Sequence, residues 1–115
     1  MMREIKFRCW HRLADKMLYD EKPGDCLVWK NQGQDIEAVM QYTGLKDKNG
    51  VEIYEEDILR CYDKTTNNVF TLPLYWSKTQ PGFFYGLYHL NTVMIKEHEI
   101  KIIGNIYENP ELVKT

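Results

Sequence analysis

The 115-residue chain is poor in cysteine, in long apolar runs and in positive charge, and each shortage excludes a class of protein. Its three cysteines, Cys9, Cys26 and Cys61, are odd in number, far apart and never spaced Cys-x-x-Cys. A zinc knuckle or redox dithiol is unsupported, and reduced thiols, some buried as small apolar groups, are the expectation. No apolar run approaches the ~20 residues that cross a bilayer, and the first residues, MMREIKFRCW, carry charge where a signal peptide needs an apolar stretch. A soluble cytoplasmic protein is expected. The net charge is -2, so no global field draws the chain to nucleic acid. Repeats, amphipathic helical periodicity and cofactor fingerprints are missing too.

What is present suits one small domain with a packed core. Hydrophobic residues make up 43% and aromatic residues 13%, while 28% charged residues argue against a disordered low-complexity chain. Aromatic and β-branched residues fit a pleated, half-buried surface, so strands should dominate. The central stretch is Val39 to Leu59, VMQYTGLKDKNGVEIYEEDIL. Its Asn49-Gly50 pair predicts a type I′ hairpin turn, which requires two central residues at φ > 0. Thr43-Gly44 predicts a second reversal.

The chain then reads as strands between turns. Arg3 to Trp10 alternates, with Ile5, Phe7 and Cys9 on one face and Lys6, Arg8 and Trp10 on the other, as a half-buried strand would. Met17-Leu18-Tyr19 returns as its hairpin partner. Asp20 to Asp35, with Pro23-Gly24 and Gly33, reads as a loop or an excursion from the sheet. Ile36 to Tyr42 fits a strand or a short helical turn equally. Ile58–Tyr62, Val69–Trp76, Phe83–Tyr88 and Ile100–Tyr107 read as further strands. Pro73 marks an edge or bulge, and Gly104 a bulge or a close backbone approach. Strands at 8–12-residue spacing indicate a small barrel or sandwich. Any division falls near Asp35, giving a hairpin and excursion over 1–35 and a barrel-like part over 36–115.

Three blocks carry a resemblance. They are Arg3-Glu4-Ile5-Lys6-Phe7-Arg8-Cys9-Trp10 with Lys16-Met17, then Met40 to Gly50 continuing through Ile53-Tyr54-Glu55-Glu56-Asp57-Ile58, and finally Ile103 to Leu112. In this order and spacing, the chain resembles the YopX family of small phage and prophage proteins over about half its residues. Two positions depart from the family pattern: Glu56 stands where Gly is usual, and His11 where Asp is usual. If a positive φ is needed at position 56, Glu56 carries strain that Gly would not. The resemblance implies a mostly β protein with an SH3-like barrel in its C-terminal part and a phage or prophage origin. It implies no activity.

Several constellations compete for function. Glu52, Glu55, Glu56 and Asp57, with Asp47, are the candidate for divalent-metal or acid–base chemistry, since crowded carboxylates share hard cations or raise one another's pKa. The simpler reading is a solvated turn in which Asp57 accepts backbone N–H bonds. His11, His89 and His98 are scattered, so no metal site is expected. Lys6, Arg8, Trp10 and Arg12 form a candidate nucleic-acid face on the hairpin, set against a charged face that merely guards an edge. The aromatic set Tyr75, Trp76, Phe83, Phe84, Tyr85 and Tyr88 exceeds what one small barrel can bury. Trp76, Phe84 and Tyr88, with Trp29, are the candidate interface, unless the excursion with Val28 and Trp29 covers the set internally. Gly44, Asn49, Gly50 and Gly104 are the structural turn residues. A non-enzymatic protein-binding or self-assembling module, homo-oligomeric and without cofactor, is therefore the first expectation. A nucleic-acid-binding module on the hairpin and a small metal-dependent enzyme at the acidic turn are the alternatives.

Overall fold

A computed structural model describes residues 4–113. The chain runs β1 (Phe7–His11), β2 (Lys16–Tyr19), α1 (Asp25–Asn31), β3 (Ile36–Lys46), β4 (Glu52–Tyr54), β5 (Asp57–Asp63), β6 (Asn68–Trp76), β7 (Phe83–Tyr85), β8 (Tyr88–His89), α2 (Thr92–Glu97) and β9 (Lys101–Asn105), ending in a 3-10 turn over Pro110–Val113. Two antiparallel sheets result, ordered β2-β1-β3-β4 and β8-β7-β6-β5-β9. The fold is mostly β, and one sheet curls into a half-barrel, as the turn spacing and the family resemblance predict. Among the described residues no helix is long and apolar enough to cross a membrane.

β1 and β2 form the expected hairpin, with Cys9 opposite Leu18 and Trp10 opposite Met17. The expected half-burial of β1 does not hold. Arg8, Cys9 and Trp10 are consecutive and all buried, because α1 covers Cys9 on one face while Tyr54, Asp57 and Tyr107 cover Arg8 and Trp10 on the other. Cys9 packs with Cys26 and Ile36 under Trp29, while Trp10 stacks on Tyr107 with ring centroids 5.7 Å apart. The open choice over Ile36 to Tyr42 resolves as strand, running on to Lys46.

Two helices interrupt what reads as strand or loop. Cys26-Leu27-Val28-Trp29 belongs to α1, whose seven residues are too few to display a period of 3.6. Its exposed N–H groups are met from outside the helix. The Asp20 carboxylate accepts from Cys26 N (2.9 Å), Gly24 N (3.0 Å) and Phe7 N (3.0 Å), and Asp25 accepts from Glu21 N and Lys22 N. These backbone bonds outweigh burial and hold the Asp20 carboxyl below its ordinary range. α2 starts on Asn91, whose side-chain oxygen accepts from Met94 N at 2.9 Å.

The turns correct the sequence reading in detail. Gly50 has φ 81, but Asn49 is not at positive φ, so the turn is not type I′. Gly50 N donates to the Asp47 carbonyl (3.0 Å) and Asp47 N to the Val51 carbonyl (2.8 Å), a four-residue turn closed by one left-handed glycine. Gly44 (φ 87) bulges β3 between Tyr42 and Lys46 instead of reversing the chain. Phe83–Tyr88 is two strands, broken at Gly86 (φ 64). Pro73 lies in an interior strand, yet β6 pairs with β7 only from Leu74 onward, so its missing N–H ends that ladder. Gly104 meets both of its expectations. The β5–β9 register shifts beside it, and a Cβ there would collide with the Asn109 side chain. Glu56 does hold φ 70 where the family usually has Gly. The core of the second sheet is Ile53, Leu59, Cys61, Leu74, Phe83, Tyr85, Leu90, Ile95 and Ile100, closed from outside by α2.

Candidate functional site

The three sequence blocks meet at one place, a cleft of about 560 Å³ where the N-terminal sheet abuts β5 and β9. Arg8 comes from the first block, Tyr54 and Asp57 from the second, and Gly104, Asn105, Glu108 and Asn109 from the third. Arg8 and Asp57 are 4% and 2% exposed. Arg8 Nη2 donates to Asp57 Oδ1 at 2.9 Å and to the Glu55 carbonyl at 3.0 Å, and Asp57 Oδ2 accepts from Tyr54 N at 2.8 Å. Burial raises the Asp57 carboxyl, with the Arg8 charge and the Tyr54 N–H pulling against it. The Arg8 guanidinium lies 4.9 Å from the centre of the Tyr54 ring, and its buried Nε has no hydrogen-bond partner. Burial also pushes the Tyr54 phenol up to about 12.

The rest of this cleft is internally matched. Asn105 Nδ2 donates to Glu108 Oε1 (2.8 Å), Asn105 Oδ1 accepts from Tyr107 N and Glu108 N, and Asn109 Oδ1 accepts from Asn105 N. Lys6 pairs with Glu52. The polar atoms mainly hold the two sheets and the C-terminal turn to one another. Chemically the arrangement is a clasp.

The acidic cluster does not converge. Asp47 Oδ1 accepts from Asn49 N and Val51 N, and its Oδ2 from Ile102 N, so it stitches its turn to β9. Glu55 Oε1 accepts from Gln41 N at 2.6 Å. Burial raises both Glu55 and Glu56. Asp57 does accept a backbone N–H at the entry to β5, as the simpler reading has it. Among the described residues no three His, Cys, Asp or Glu side chains group as metal ligands. The thiols are similarly occupied with packing: burial raises Cys9 and Cys26, and pushes Cys61 up to about 12, so none is a thiolate at neutral pH.

The hairpin face is not assembled as an open surface. Arg8 and Trp10 are buried, Lys6 is half-buried against Glu52 and 4.9 Å over the Tyr42 ring, and only Arg12 is exposed, paired with Asp35 at 2.7 Å. The physical reason is that Tyr54, Asp57 and Tyr107 cover the face that a free hairpin would leave wet.

The aromatic candidates fall on both sheets. Trp29 is half-buried over Cys9 and Cys26, so the excursion covers the first sheet and leaves the aromatic edge of the second open. There Tyr75 pairs with Phe84 and Phe84 with His89, turning three rings to one face of β6–β8. Trp76 is 47% exposed at the end of β6 and meets Phe83 edge-on. Tyr88 is 40% exposed, its ring stacked on Tyr85 and edge-on to His98. Leu87, at the Gly86 turn, is 97% exposed. Sequence reasoning missed Leu87, because a lone leucine beside glycine gives no periodic signal.

A second groove, of about 280 Å³, lies on the outer face of β5, β6 and β9, lined by Lys48, Arg60, Tyr62, Val69, Glu99 and Lys101. None of these stands out in sequence, since they come from four separate segments.

Comparison with known proteins agrees with this architecture. Residues 6–114 match the family model described as YopX protein. No curated protein matches the chain. Among solved structures, the chain is similar to the crystal structure of protein EF1440 from Enterococcus faecalis, with a TM-score of 0.67 and 27% identity, covering 98% of this chain and 100% of that one. One family model thus spans nearly the whole length, and the three blocks that carry the resemblance converge on a single clasp: the chain belongs to the YopX family.

Proposed function

We propose that the protein is a non-catalytic binding module of phage or prophage origin, acting in the cytoplasm of a bacterial host. It associates with protein, and first with copies of itself, through the aromatic edge at β6–β8. The observation that carries this reading is the exposure of Trp76, Tyr75, Leu87 and Tyr88 along β6–β8, with Trp76 and Tyr88 on one face of the sheet and Tyr75 on the other, beside a two-residue edge strand left uncovered by α1. Apolar groups gathered at one sheet edge gain roughly 25 cal/mol for each Å² they bury, and Trp and Tyr are the residues that most often anchor protein interfaces. The edge strand also offers backbone groups for pairing.

Light scattering after size exclusion tests this directly. An assembly of defined mass that persists at 1 M salt, and that falls to the chain mass in a Trp76→Ala, Leu87→Ser double variant with unchanged far-UV circular dichroism, is the expected result. A monomer at every concentration would remove self-association.

A further inference from the structure

The groove on the outer face of the second sheet has a charge arrangement that the fold does not explain. Arg60 and Lys101 are direct cross-strand partners in the β5–β9 ladder, so their side chains share one face, and both are exposed. Like charges directly opposite one another in a ladder destabilise it. Neither residue makes an ion pair among the described residues. Two more cations lie near Glu99, Lys48 in the groove's lining and Lys64 beyond it. Lys48 and Lys64 both point to Glu99, at 4.0 and 3.9 Å, the long limit of an ion pair. The groove's own lining, Lys48, Arg60, Lys101 and Glu99, therefore carries two positive charges in excess on a chain whose net charge is -2.

Glu99 itself is placed at a cost. It holds φ 44 just past α2, with Ile100 N donating to the Ile95 carbonyl at 3.0 Å, in the left-handed position where Gly is the usual residue. There its carboxylate engages Lys48 and Lys64 and leaves Arg60 and Lys101 unneutralised. Beside them, Tyr62 and Val69 are paired across β5–β6 on the same face, so an aromatic ring and an apolar side chain floor the groove next to the cations. A site with cations side by side and a ring against them fits an anion carried on a flat or sugar-like body.

We propose that this groove binds the phosphate backbone of single-stranded nucleic acid, with Arg60 and Lys101 holding a phosphate and Tyr62 packing against the neighbouring sugar or base. A volume of about 280 Å³ takes a nucleotide-sized part of a strand, and the open sheet face lets the strand continue past Lys48 and Lys64. The site is separate from the hairpin face and does not depend on the aromatic edge at β6–β8.

Fluorescence anisotropy with a labelled 20-nucleotide oligothymidylate tests it, on the full chain at 50 to 300 mM salt. Binding that weakens with salt is expected, together with at least a tenfold loss in an Arg60→Gln, Lys101→Gln double variant. The slope of log affinity against log salt should shrink by about 0.7, for the one phosphate that the pair holds on a single strand. An Arg12→Gln variant, altered on the hairpin, should bind as the parent does. The double variant should unfold at the same temperature as the parent or higher, because it relieves a like-charge pair, so loss of binding is separable from loss of fold. No binding at 50 mM salt, undiminished binding by the double variant, or weakening by Arg12→Gln would each overturn the proposal. So would competition by inorganic phosphate or a mononucleotide as effective, per phosphate, as the oligonucleotide, which would point to a small phosphorylated ligand.

Discussion

Arg8 and Arg60 carry the same guanidinium on strands of one small protein, and the two have opposite surroundings. Arg8 is sealed between the sheets, bonded to Asp57 and the Glu55 carbonyl, and laid over the Tyr54 ring. Arg60 lies on an outer sheet face, opposite Lys101, with no carboxylate of its own. The first region answers its own charge and so builds structure. The second leaves its charge unanswered and so has something to offer a ligand. Burial, not residue type, separates the two roles, since removing a charge from water is tolerable only when a partner is fixed in place.

The sharpest break of this contrast is Asp57→Ala. It leaves Arg8 buried without its carboxylate and should cost about 3–5 kcal/mol in urea-induced unfolding. An Arg8→Met, Asp57→Leu double replacement should cost clearly less than Asp57→Ala alone, because no lone charge remains; an equal loss would mean the pair has a role beyond mutual neutralisation. Gly104→Ala comes next. The added methyl must displace the Asn109 side chain that caps Asn105, at about 1–3 kcal/mol, and combining it with Asn109→Ala should recover part of the loss. A smaller effect of opposite sign is expected at Glu56→Gly. Relief of the left-handed backbone at φ 70 should raise stability by roughly 0.5–1 kcal/mol, read as a higher unfolding midpoint. Smallest is Arg60→Gln, whose effect on stability should stay within about 0.5 kcal/mol and lean upward. A large destabilisation there would erase the contrast by showing that Arg60 is structural too.

Much of the fold is legible in the residues because most of it is alternation and turn chemistry. The β1–β2 hairpin and the strand from Ile58 follow from strand-sized apolar runs set between turn residues, and the bulge at Gly104 from glycine's freedom at a crowded point. The misses share one cause. α1 forms because Asp20, five positions upstream of its first helical residue, takes the N–H groups of Gly24 and Cys26, a signal that no local period contains. The Asn49-Gly50 turn differs from its expected type because the Asp47 carboxylate binds Asn49 N, Val51 N and, from a distant strand, Ile102 N. In both, one carboxylate couples segments that the sequence holds apart.

The candidate site divides the same way. The surplus of aromatics over what a small core can hold is a matter of count, so an exposed aromatic edge could be expected, including Trp76 and Tyr88. Which face stays open could not, because that depends on where α1 packs.

By itself the sequence determined the strand-rich class and the position of the turn at Gly50, which rest on local sterics and residue type, and the family, which rests on three ordered sequence blocks. Only the tertiary structure decided which charges are answered. Arg8 finds Asp57 at a separation of 49 residues and Arg60 finds Lys101 at the next strand, and the sign of a charge's neighbour is a property of three-dimensional contact that no one-dimensional pattern records.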